Sequence, residues 1–114
     1  MGRMSTKRLR QLARSAEFVS SIHPQLTVSQ INFLATVKLN PLATQTEIAK
    51  KIGLTLSAVS RQVDQFGSKP KRKSDHALGW IEVIHAPNDD RVKLLTMTER
   101  GNRFLAQLDA HLYG

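Results

Sequence analysis

Three polar side chains near the middle of the chain are spaced by four: Ser57, Arg61 and Gln65, within the run Leu56 to Phe66 (LSAVSRQVDQF). If that run is helical, the three share one face, opposite Val59 and Val63. Their chemistry is recognition by hydrogen bonding. A guanidinium makes paired bonds to guanine O6/N7 or clamps a phosphate, and a carboxamide can pair with adenine N6/N7. A second pair, Asp89 and Arg91, sits in a stretch of turn formers, APNDDR. An exposed pair of this kind contributes little stability on its own. A third group is the basic run Lys69, Lys71, Arg72 and Lys73 inside GSKPKRKSDHAL, which suits phosphates and suits a solvated linker equally well. Catalysis finds no support. No Ser-His-Asp set, glycine-rich phosphate loop or paired carboxylates stand out. His23, His76, His85 and His111 are scattered with no ligand spacing, so neither a metal nor any other cofactor is expected.

Composition limits the partners. The 114 residues are enough for one domain and carry a net charge of +8. That charge is uneven. Residues 1–73 hold 13 Lys/Arg and 3 Asp/Glu, a net of +10, whereas 74–114 hold 4 and 6, a net of −2. So concentrated a positive charge points to a polyanion, although charge alone does not separate DNA from RNA or anionic lipid. There is no cysteine, which excludes disulfides and thiolate sites. No apolar run approaches the roughly 18 residues of a membrane span, and the N-terminus lacks a signal-peptide core, so a cytoplasmic, nucleoid-associated location is expected.

The elements that must position these residues read mostly as helices. Leu9, Leu12, Ala16 and Val19 recur at spacings of three and four, which predicts a helix from Ser5 that ends before Pro24. Lys7, Arg8, Arg10 and Arg14 crowd its first half, where the helix dipole slightly disfavours cations. Thr27 with Gln30, and Thr44 with Glu47, have the spacing of capping boxes and open two further helices. Gly53 suits a helix C-terminus, where a positive φ costs glycine nothing. Thr55 or Ser57 then caps the helix of the polar row, with Leu56, Val59, Val63 and Phe66 as its inner stripe. Trp80–His85 and Val92–Met97 read as strands joined by the six-residue APNDDR loop, with a short third strand near Leu42–Thr44. Trp80 should anchor this hairpin to the helices. Thr98 caps a last helix bearing Phe104, Leu105, Leu108 and Leu112.

This order is mostly α with a small β-hairpin, a winged helix-turn-helix. The chain resembles the MarR family of bacterial winged-helix transcription regulators. The resemblance runs from about Leu26 to Gly101 and is most specific at Asp89, Arg91, Leu95, Thr96, Thr98, Glu99 and Gly101. The run Ala58 to Arg61 (AVSR) is a second match. Two departures stand out: the chain is shorter than family members, such as a phage or plasmid variant would be, and its linker before the hairpin is longer.

The resemblance implies a sequence-specific regulator of double-stranded DNA, a repressor acting as a homodimer. Ser57, Ala58, Ser60, Arg61 and Gln65 would face the major groove, and Arg91, oriented by Asp89, the minor groove. Lys69, Lys71, Arg72 and Lys73 would hold phosphates. Leu9, Leu12, Val19, Leu105, Leu108 and Leu112 would make the dimer contact. The implied division is 1–22 for dimerisation, 44–66 helix-turn-helix, 67–78 basic loop, 79–97 wing and 98–114 closing helix. Family members also bind small aromatic effectors between DNA-binding lobe and dimer helices, a site that a shortened dimer region argues against. The competing reading is a winged-helix module that grips a host or replication protein, with DNA binding secondary.

Overall fold

Each helix starts where a side chain can satisfy its otherwise unpaired backbone N–H groups. In the computed structural model, which describes residues 5–67 and 78–113, Ser5 caps α1 (Thr6–Ile22) by accepting from the Arg8 N–H. Thr27 and Gln30 form a complete capping box on α2 (Val28–Leu39), and Thr44 and Glu47 another on α3 (Gln45–Ile52). Thr55 caps α4 (Leu56–Phe66) through the Ala58 N–H at 3.1 Å. Between α3 and α4, Gly53 takes φ +68°, and the Leu54 N–H returns to the Ala49 carbonyl. The turn after α2 holds a less comfortable residue, Leu42 at φ +63°. A left-handed leucine costs about 1–2 kcal/mol. It is held there because its N–H donates to the Leu95 carbonyl.

Strand β1 (Ala43–Thr44) pairs with β3 (Asp89–Met97), which pairs on its other side with β2 (Ile81–Ala86). Both pairings are antiparallel. Helix α5 (Glu99–Tyr113) closes the chain. The hairpin departs from the expected six-residue loop: β3 already begins at Asp89, so only Pro87 and Asn88 lie between the strands. An irregularity between His85 and Ala86 allows this, because His85 pairs with Lys93 while Ala86 pairs with Asp89. A bulge gives β3 extra length and re-aims its side chains. Among the described residues no helix is long and apolar enough to cross a membrane.

Phe33, Leu34, Val37, Ile48, Val59, Phe66, Ile81 and Leu95 are fully buried, and aromatic rings carry the core from one side of the domain to the other. Phe33 stacks on Phe66, Phe66 on Trp80, and Trp80 on Phe104 with centroids 4.3 Å apart. Phe18 of α1 continues the series against Phe104 and the His111 ring. His23 meets the Trp80 and Phe104 rings edge-on. The anchor expected at Trp80 is therefore one member of a ladder that ties α1, α2, α4 and α5 to the root of the hairpin.

Two expected faces differ. On α1 the side turned toward α5 is Ser15 and Val19, whereas Leu9 and Leu12 stay about half exposed. Ser15 tolerates burial because its hydroxyl donates to the Gln11 carbonyl at 2.9 Å. Leu56, read as part of an inner stripe, is 52% exposed. It lies in the first turn of α4 and lines a groove together with residues of the hairpin.

Candidate nucleic-acid interface

The outward face of α4 follows from its inward one. Val59, Val63 and Phe66 are buried, so Ser57, Arg61 and Gln65 are turned to solvent, with Ala58 and Ser60 partly covered at the margin. Arg61 is exposed at mid-helix, where its guanidinium is free to reach outward. Gln65 has a protein partner: its Oε1 accepts from Gln30 Nε2 of α2 at 2.9 Å. The sequence reading gave Gln30 only a capping role. The link between two residues 35 positions apart exists because α2 and α4 pack together.

On β3, Arg91 forms a two-pronged contact with Asp89. Its Nε donates to Asp89 Oδ1 at 3.1 Å and a terminal nitrogen to Oδ2 at 3.2 Å, while the Arg91 backbone N–H also reaches Oδ1. The Arg91 side chain is nonetheless 91% exposed. A guanidinium held at its base and open beyond can enter a narrow groove at reduced entropic cost. The Arg91 side chain, and next its backbone N–H, hold the Asp89 carboxyl below its usual value of 3.8. A depressed carboxylate pKa contributes stability above the ordinary carboxylate range and loses it as pH falls through the lowered value. The pair is thus intact throughout the neutral range. In an Arg91→Ala protein, which loses the guanidinium but keeps the backbone N–H, NMR titration of the Asp89 carboxyl should move upward toward the ordinary carboxylate range, and an unchanged value would mean that the guanidinium is not its main cause.

The start of α4 and the hairpin share one groove. Thr44, Gln45 and Thr46 at the head of α3, Leu56 at the head of α4, and Arg91, Val92 and Lys93 on β3 enclose about 350 Å³. Arg91 and the head of α4, 35 residues apart in sequence, therefore address the same side of the domain. Sequence alone places Gln45 and Thr46 at a helix start and Lys93 in a strand, not at this groove. Lys93 had a local signal, since alternate residues of a strand share a face with Arg91. Thr46 and Gln45 had none, because their role depends on where the hairpin folds.

Lys69, Lys71, Arg72 and Lys73 lie outside the described residues. The six apolar residues expected at a dimer contact divide. Leu9, Leu12 and Leu112 are exposed, Leu105 and Leu108 are partly covered by the core of their own chain, and Val19, at 6% exposure, is inside it. Val19 is not available to a partner, because α5 already packs against it.

Comparison with known proteins agrees with the winged helix-turn-helix fold. The profile of a family described as winged helix-turn-helix DNA-binding matches residues 34–68, from α2 through α4. The multiple antibiotic resistance protein MarR of Escherichia coli K12 is 27% identical over 85 residues, which are 75% of this chain and 51% of that protein. The chain thus spans about half the length of that curated relative. Among solved structures, a mutant MarR from E. coli complexed with operator DNA superposes with a TM-score of 0.69 at 23% identity, covering 93% of this chain and 68% of the other. Streptococcus pneumoniae FabT in complex with DNA superposes at 0.66 and 19% identity, covering 90% and 65%. At these identities the structural likeness is one of fold.

Proposed function

We propose that the chain is a winged helix-turn-helix protein of MarR type, which binds double-stranded DNA sequence-specifically as a homodimeric transcriptional repressor. The observation that carries this reading is the shared groove, which places Arg91 of the hairpin beside the head of α4. Helix α4 enters the major groove and presents Ser57, Ser60, Arg61 and Gln65. Arg91 reaches the flanking minor groove, steered by Asp89. Backbone phosphates fall to Thr46 and Lys93, and to the basic residues 69–73 and the exposed cations of α1. The two similar proteins solved with DNA support the choice of ligand. Selection of binding sites from a randomised duplex library tests it: a two-fold site with half-sites about 34 Å apart is the expected product. Recovery of unrelated sequences with uniform affinity would refute sequence-specific binding.

The dimer is assigned to the outer faces of α1 and α5, where Leu9, Leu12 and Leu112 are exposed. Placing aspartates at Leu9 and Leu12 puts charge into that contact without touching the buried Val19. Light scattering should then report half the wild-type mass, and affinity for the two-fold site should fall by about tenfold or more as avidity is lost. A variant of unchanged mass would move the dimer contact elsewhere.

A further inference from the structure

The polar row of α4 ends at Gln65, and what that side chain can offer a ligand is decided on another helix. The Thr27 backbone N–H can only donate, so the Gln30 atom 2.8 Å away from it is the carboxamide oxygen. The other arm of Gln30 is then Nε2, which can only donate, and it meets Gln65 at 2.9 Å. The atom of Gln65 facing it must therefore be Oε1. One backbone N–H sets the orientation of two carboxamides in series, and orientation of this kind follows from the partners rather than from the carboxamides themselves. Gln65 is left with its Nε2 hydrogens directed away from α2.

Resting on the DNA-binding reading above, we propose that Gln30 is a positioning residue for recognition, which polarises Gln65 so that it meets DNA as a hydrogen-bond donor. A bidentate contact to adenine needs the glutamine oxygen to accept from N6 while its nitrogen donates to N7. With Oε1 held toward Gln30 by one of its two lone pairs, the arm of Gln65 left to lead toward a ligand is its nitrogen. Its ligand is accordingly an acceptor, either the guanine O6/N7 edge or a phosphate oxygen. The adenine pairing expected from sequence is replaced by this one. The reason is a contact between distant helices that spacing within α4 does not reveal.

The substitution Gln30→Glu tests the idea without removing the cap, because glutamate serves the same capping-box position. A carboxylate accepts at both oxygens, so Gln65 must turn its nitrogen inward and present Oε1 to the ligand. Wild type and Gln30→Glu are compared on duplexes varied at every base pair of the selected site, each with Gln65 and with Gln65→Ala. The alanine background removes the effect of the added charge. If Gln65 addresses a base, wild type prefers guanine at one position. Gln30→Glu then shifts that preference about tenfold toward adenine or cytosine, which offer a donor. The shift disappears with Gln65→Ala. If it addresses a phosphate, Gln30→Glu weakens all duplexes alike, and more when Gln65 is present than in the alanine background. Either pattern supports the polarised pair. Equal effects of Gln30→Glu in both backgrounds would overturn it while leaving DNA binding intact. A wild type that binds no duplex would overturn the DNA-binding reading and this inference with it. Should Gln30→Glu fail to fold by circular dichroism, Gln65→Lys substitutes, since lysine only donates: affinity near wild type supports the donor role, and loss equal to that of Gln65→Ala refutes it.

Discussion

A Gly101→Ala protein is expected to melt roughly 10 °C or more below wild type, from a destabilisation of about 3 kcal/mol. A Cβ built at Gly101 comes within 2.3 Å of the Trp80 carbonyl oxygen, 3.0 Å of its carbon and 2.7 Å of Met97 Cε. The methionine end can swing aside at little cost. The carbonyl cannot, because it accepts from the Thr98 N–H at 3.0 Å, and the Trp80 N–H is tied to the Phe66 carbonyl at 2.8 Å. Thr98 Oγ1 donates to the Gly79 carbonyl and accepts from the Gly101 N–H, so the whole junction of hairpin and α5 is stitched through this one turn. Inserting a methyl must part α5 from the Trp80 segment, and with it the ring stack of Trp80 on Phe104. Gly53→Ala provides the contrast. Its Cβ would meet nothing within 4 Å, so only the left-handed φ is strained, at about 1–2 kcal/mol. Thermal melts of both variants check the ranking, and a Gly101→Ala transition within a few degrees of wild type would show that the junction gives way cheaply.

Gly101 also shows where sequence reading stops. Its place in the pattern Thr98-Glu99-x-Gly101 was legible, but the reason for a glycine lies in the Trp80 carbonyl, 21 positions away. The features read in full were those whose partners sit within four residues. These are the two capping boxes, the Thr98 cap, the turn at Gly53 and the Asp89–Arg91 pair. Periodicity told which residues of α4 from Val59 onward face inward. It failed at Leu56, because a stripe does not report whether its first member has a neighbour to cover it. On α1 the stripe Leu9, Leu12, Ala16 and Val19 divides: the leucines are exposed, whereas Val19 goes into the core beside Ser15. Packing on α5 decided it, with the Ser15 hydroxyl satisfied within its own helix. The hairpin loop was misjudged for a related reason. Turn-forming residues extend from Pro87 through Asp90, yet a bulge at His85–Ala86 lets the two aspartates join β3. The candidate interface was legible as two separate pieces, the α4 row and Arg91. That they border one groove, and that Gln30 is hydrogen-bonded to Gln65, are tertiary facts.

Arg61→Ala is expected to reduce affinity for the selected site about 10- to 100-fold, the loss of one bidentate side-chain contact. The argument rests on position. Arg61 is the middle member of the exposed row, four residues from both Ser57 and Gln65, on a helix whose opposite face is locked by Val59, Val63 and Phe66. It is exposed and bears no stability role that would confuse the result, so the melting temperature should remain within a few degrees of wild type. Two mechanisms are open to a guanidinium there, and they separate cleanly. A contact to guanine makes the loss largest on the selected sequence and small on random duplex, and Arg61→Lys fails to restore it because an ammonium lacks the planar fork. A contact to phosphate weakens both duplexes alike, flattens the salt dependence by about 0.9 in the log–log slope, and is largely recovered by lysine. If Gln65 meets DNA as a donor, as proposed, then with Arg61, which has only donors, both side chains of the row ask for acceptors at adjacent steps. A guanine-rich half-site under α4 is the sequence that satisfies them together, and equal affinity of wild type and Arg61→Ala for it would remove α4 from the reading surface.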